Sequence, residues 1–270
     1  MTQEARSTMS KQDSENSQDS ENSIENNCGR NVADGKRPIK TYVVRSGRMT
    51  QAQKRAIALY GHDYIVPFTG EPLDLSTIFP NERPIVMEIG FGMGQASWQI
   101  ALSRPQFNYL GAEVHAPGVG RLLLELQAHG ISNFKIFQHD ALEVLETMIP
   151  QESLAGFHIF YPDPWPKKRH HKRRLMQKDH LDLMISRLKP DGYLYFVTDI
   201  EEYGRSTLEL LSATPSIKNA YNGFASGITW RPETKFEHKA RLRAHETLPR
   251  GTDTAEQEPR TAWELFFEKL

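Results

Sequence analysis

The sequence predicts an α/β fold built on a mainly parallel sheet, and three observations point to it. A short apolar run, IVMEIG from Ile85, leads through Gly90, Gly92 and Gly94 into ASWQIALSRP, which reads as a helix ending near Pro105. Strand, Gly-rich turn, helix is how a nucleotide-binding βαβ unit opens. Glu88, Glu113, Asp140 and Asp163 fall at or near the ends of four successive candidate strands, and in a parallel sheet those ends share one rim. The third observation is Phe157–Arg174, FHIFYPDPWPKKRHHKRR, which begins apolar, breaks at prolines flanking an acid, and becomes a dense block of positive charge.

Composition bounds the rest. A chain of 270 residues with 38% hydrophobic and 10% aromatic residues can build one α/β domain with extensions. Net charge is -1, so nucleic-acid contacts must come from local patches. The single cysteine, Cys28, excludes an intrachain disulfide, a CxxC pair and a zinc finger, and fits a reducing cytosol. No apolar run approaches the roughly 18–20 residues of a membrane span, and the N-terminus lacks a signal-like apolar region. The expectation is a soluble, cytoplasmic protein.

Residues 1–35 are polar and acidic, with the near-repeat QDSEN, and are expected to be disordered. Residues 36–50 are basic and extended, suited to nucleic acid or to an ordinary surface strand. Gln51–Tyr60 reads as a helix and Pro67–Pro84 as a loop-rich lead-in. After the Gly turn, NYLGAEV is a strand ending in Glu113, placed where an acid can hold ribose hydroxyls. Ala116–Ala128 is a helix with Gly130 as its C-cap, and its leucines read as core. NFKIFQHD is a strand closed by Asp140, and the strand of FHIFY ends at Tyr161. Arg174–Leu188 reads as a helix, DGYLYFVTD as a fifth strand ending at Asp199, and Glu201–Leu211 as a helix. WELFFEKL supplies a last strand.

In the third run, three prolines (Pro162, Pro164, Pro166) stiffen the loop and hold Asp163 and Trp165 in place. Every residue from Lys167 to Arg174 is Lys, Arg or His. An acid in a rigid pocket beside a polycationic lip suits chemistry on a phosphate-rich polymer; a tight turn followed by a solvated helix start is the plainer alternative. Trp165 reads either as a base-stacking platform or as a packed loop aromatic. His170 and His171 are adjacent, share no face and have no completing acid, so they read as members of the basic patch and no metal site is expected.

EIGFGMG (Glu88–Gly94), DPWPKKRHHKRR (Asp163–Arg174) and RPETKFE (Arg231–Glu237) resemble bacterial tRNA (guanine-N7-)-methyltransferases, over roughly Tyr42 to Glu237 and the final strand. The resemblance implies a Rossmann-like class I methyltransferase fold over 36–270, with a mostly parallel seven-stranded sheet whose last strand is antiparallel. It implies S-adenosyl-L-methionine as donor and a guanine of the tRNA variable loop as acceptor. By the same resemblance Glu88, Gly90, Glu113, Asp140 and Asp163 are cofactor-site residues, with Asp163 also in the catalytic position. Lys167, Asp199, Thr234, Lys235, Phe236 and Glu237 match substrate-binding positions. Arg169, His170, His171, Lys172, Arg173 and Arg174 match the tRNA-contacting stretch. After Glu237 the chain departs from the family pattern, reading HKARLRAHE and then a polar stretch. Monomer and homodimer both remain open.

The chemistry agrees. Guanine N7 has a free lone pair, so no general base is needed. A fixed carboxylate beside the ring would stabilise the charge that methylation spreads over it, and Asp163 is the first choice for that role, Asp199 the second. The Gly loop with Glu113 also suits a nicotinamide enzyme, but its spacing is GxGxG and lacks the third glycine of that fingerprint. An adenine-amino methyltransferase carries a related tetrad with a different third residue. A silent RNA-binding module would have no need of the rim acids.

Overall fold

The computed structural model describes residues 40–43, 47–234, 237 and 262–270. The polar tail, Lys235, Phe236 and the stretch 238–261 lie outside the described residues. The elements are α1 (Gln51–Tyr64), α2 (Leu75–Ile78), β1 (Ile85–Ile89), α3 (Gln95–Ser103), β2 (Asn108–Ala112), α4 (Ala116–Ala128), β3 (Phe134–Phe137) and α5 (Ala141–Thr147). They continue with β4 (Leu154–Phe160), a 3-10 turn (Lys168–Arg173), α6 (Lys178–Arg187), β5 (Leu188–Thr198), α7 (Glu201–Ser212), β6 (Ile217–Asn219) and β7 (Trp263–Lys269).

One sheet runs β3-β2-β1-β4-β5-β7-β6. The pairs among the first five strands are parallel, and β7 is antiparallel to both β5 and β6. This is the seven-stranded, mostly parallel α/β fold with an antiparallel last strand that was expected. Parallel strands covered on both faces read as continuous apolar runs, and all five residues of β1 and of β2 are buried. Alternation sends Ile85, Met87 and Ile89 into one core layer and Val86 into the other. Glu88 shares the face of Val86, beside its register partner His158 on β4.

Chain order reverses between β1 and β4, and at such a switch point the loops after the strand ends part to leave a crevice. Local chemistry fixes what surrounds it. Thr50 and Gln53 form a reciprocal capping box at the start of α1. The Gln53 side chain then donates to Pro117 O at 3.0 Å, which docks α1 onto α4. Helix α1 runs past its expected end at Tyr60 to Tyr64, because Gly61 is carried within it and the chain stops only where Ile65 N donates back to Gly61 O at 2.7 Å. Helix α6 begins at Lys178, four residues later than expected, since Arg173 and Arg174 are drawn inward by side-chain bonds. No helix among the described residues is long and apolar enough to cross a membrane.

Candidate active site

At the switch point lies a cleft of about 390 Å³. Its floor is the Gly turn. Gly90 and Gly92 have φ +73° and +57°, which L side chains rarely adopt. A Cβ on either would meet nothing within 4 Å, so both face open space that a ligand can fill. Gly90 N donates to Ala112 O at 2.8 Å, extending the β1–β2 ladder into the turn.

The four rim acids differ in role. Glu113 follows β2, and its Oε2 accepts from Gly92 N at 2.8 Å while Oε1 accepts from His115 N at 2.8 Å. It therefore shapes the turn and still presents lone pairs to the cleft it lines. Asp140 caps α5 by accepting from Leu142 N at 2.9 Å and lines the cleft too. Glu88 lies deeper, 4% exposed; burial, with the charge of Glu113 adding to it, pushes its pKa up to about 7. Asp163 is exposed and lines the same cleft.

The loop bearing Asp163 is held in an unusual shape. Tyr161 and Trp165, on either side of it, both take positive φ, +53° and +44°. Each such residue costs on the order of 1 kcal/mol, so surrounding bonds must enforce it. Tyr161 N donates to Val197 O at 2.8 Å. Arg174 donates through Nε to Pro164 O at 2.9 Å, pairs with both carboxylate oxygens of Glu202, and stacks over Tyr203.

The basic run divides in two. Lys167, Lys168, Arg169 and Lys172 are exposed, and His170 and His171 half-buried. Slight desolvation and the flanking cations, Arg169 foremost, keep the His170 pKa below its ordinary value. Arg174 is only 3% exposed, with its guanidinium committed to the protein. Asp199 is exposed at the end of β5. Thr234 is half-buried, and its backbone N–H donates to Glu237 at 2.7 Å. Glu237 accepts both arms of the Arg231 guanidinium, at 2.8 and 2.6 Å, and Arg231 also reaches Glu264 and the Tyr195 hydroxyl. Burial alone would raise the Glu237 pKa; Arg231 more than offsets this and brings it below the ordinary value.

Sequence reasoning missed one wall. Thr41, Tyr42 and Val43 line the cleft from a segment far upstream, and only its mixed basic–aromatic character hinted at a role. The network in which Arg231 joins Tyr195, Glu237 and Glu264 was also unforeseen.

Comparison with known proteins bears on the same region. Residues 82–249 match the family model Methyltransf_4, whose description reads "Putative methyltransferase". The chain is 47% identical over 210 residues to a protein of Nitrosospira multiformis named tRNA (guanine-N(7)-)-methyltransferase, covering 78% of this chain and 92% of that one. Proteins of the same name from Paraburkholderia xenovorans (48% over 210 residues; 78% of this chain, 81% of that one) and Cupriavidus metallidurans (47% over 222 residues; 81% and 84%) are similarly alike. Identity at this level over most of both chains, together with the sheet order and the cleft at its switch point, means that this chain belongs to the bacterial tRNA (guanine-N7-)-methyltransferase family.

Proposed function

We propose that the protein transfers a methyl group from S-adenosyl-L-methionine to N7 of a guanine in the variable loop of tRNA, in the cytoplasm. The observation that carries this reading is that Asp163, which lines the cleft with Gly90, Gly92, Glu113 and Asp140, is followed within a few residues by the exposed cations Lys167, Lys168, Arg169 and Lys172.

The open Gly90–Gly92 floor and the acids Glu113 and Asp140 suit a nucleoside with hydroxyl and amino donors. Glu88 is buried near the end of β1, and its place in the cofactor site rests on the family resemblance. Bound there, S-adenosylmethionine supplies a methyl on a positively charged sulfur. Guanine N7 attacks with its own lone pair, so the protein's task is alignment, worth on the order of 7–11 kcal/mol when reacting groups are held in place. Asp163, fixed between two strained residues, presents negative charge where the purine ring becomes positive. Asp163 and Asp199 are acceptors matched to the N1 and N2 donors of guanine, which adenine does not offer. Lys167, Lys168, Arg169 and Lys172 neutralise phosphates, so binding weakens steeply with salt.

The test is transfer of labelled methyl from S-adenosylmethionine to unmodified tRNA, followed by strand cleavage chemistry specific for 7-methylguanine. Label and cleavage at one variable-loop guanine support the reading. Label at another base, or none despite cofactor binding, contradicts it.

A further inference from the structure

The upstream wall of the cleft, Lys40–Val43, belongs to no helix or strand, so no backbone ladder holds it in place. Instead, three consecutive carbonyls of this segment accept side-chain N–H groups from the run that follows Asp163. Trp165 Nε1 donates to Thr41 O at 3.0 Å. Arg173 donates through Nε to Lys40 O at 3.2 Å and through Nη2 to Tyr42 O at 3.4 Å. The two side chains form one unit, with the Arg173 guanidinium carbon 3.8 Å from the centre of the Trp165 ring. The Lys40 ammonium lies 5.4 Å from the centre of the Tyr42 ring, and the Tyr42 hydroxyl, with Asp140 and Glu143, favours its charged form.

This geometry is at odds with reading both residues as RNA contacts. A guanidinium with two donors on carbonyls and one face on an indole has little left for bidentate phosphate binding. The indole in turn has its one N–H used and a face covered. What both groups do is bring Thr41, Tyr42 and Val43 against the cleft. We propose that Trp165 and Arg173 are positioning residues that clamp Lys40–Val43 over the cleft and so set the affinity for S-adenosylmethionine, leaving phosphate contact to their exposed neighbours. The proposal rests on the cofactor reading above.

Two conservative variants separate the roles. Trp165→Phe keeps a ring under Arg173 and removes only the donor to Thr41. Arg173→Lys keeps the charge that a phosphate would feel and removes the two-point hold. Each is expected to weaken S-adenosylhomocysteine binding, measured by titration calorimetry on the full chain, by about 3- to 10-fold, the equivalent of one hydrogen bond. The KM for S-adenosylmethionine rises with kcat held, while tRNA affinity and its salt slope stay at wild-type values. Arg169→Ala gives the reverse pattern. Wild-type protein that binds no S-adenosylhomocysteine overturns the cofactor reading itself. Wild-type binding matched by both variants, or an Arg173→Lys loss confined to tRNA affinity, overturns the clamp.

Discussion

Glu113 and Gly92, 21 positions apart in the chain, are joined by a 2.8 Å hydrogen bond from the glycine's backbone N–H to the carboxylate. An acid that the strand-end pattern marks as a ligand contact is thus also the brace that gives the ligand loop its shape. Glu113→Gln replaces one acceptor oxygen by a donor facing N–H groups. A charge-assisted bond of this kind is worth roughly 1.5–3 kcal/mol, so cofactor affinity should fall at least tenfold by calorimetry. Unchanged affinity would show that the brace is dispensable.

A second contact fixes the loop from the other side. A Cβ at Gly118 on α4 would lie 2.0 Å from Gly92 O, a backbone atom that cannot rotate away. Gly118→Ala should therefore lower both the melting temperature and cofactor affinity. Gly90→Ala meets open space in the unliganded protein and costs the fold only the strain of positive φ, about 1 kcal/mol. Equal losses of melting temperature in the two variants would contradict the packing argument.

Glu88 is destabilising at neutral pH. Its folded pKa, about 7, lies above the ordinary carboxylate value, so the unfolded chain loses its proton first as pH rises. Stability linked to this group is complete below the unfolded pKa and is lost as pH rises through about 7. Glu88→Gln should unfold at higher temperature than wild type at pH 8, by an amount on the order of 2 kcal/mol. The gap should close in acid, below the unfolded carboxylate range. Cofactor affinity should fall in the same variant, since function is what retains a buried acid here. A variant less stable than wild type at pH 8 would refute this.

Glu237 should show the opposite trend. Paired with Arg231, its pKa is held below the ordinary value, so its contribution is present above the unfolded carboxylate range and fades as pH falls through the folded pKa. Glu237→Gln leaves Arg231 without a full counter-charge and should cost about 3 kcal/mol near pH 7. Thermal melts across pH should show the deficit shrinking in acid; a deficit independent of pH would mean that packing dominates.

Most of the sheet was legible because parallel strands are continuous apolar runs closed by Gly, Pro or an acid. IVMEI, NYLGA and LAGFHIF all have this form. β6, three residues long, carries no period to read, and α5 is short enough to pass as the tail of its strand. The rim acids were legible as positions, whereas the brace made by Glu113 depends on a bond that spacing does not reveal. Composition counts charge without giving direction, so Arg173 and Arg174 looked like their exposed neighbours although both turn inward. The Lys40–Val43 wall was hidden because its partners lie more than a hundred residues downstream, with Trp165 to Thr41 spanning 124.

The most direct measurement is single-turnover methyl transfer to unmodified tRNA at saturating S-adenosylmethionine, comparing wild type with Asp163→Ala. Wild type should place one methyl at N7 of a variable-loop guanine. With the cofactor saturating, the variant's chemical step should slow about a hundredfold, the usual loss when one preorganised electrostatic partner is removed. Methyl on any other atom, or an undiminished rate in the variant, would contradict the assignment of this cleft and of Asp163 within it.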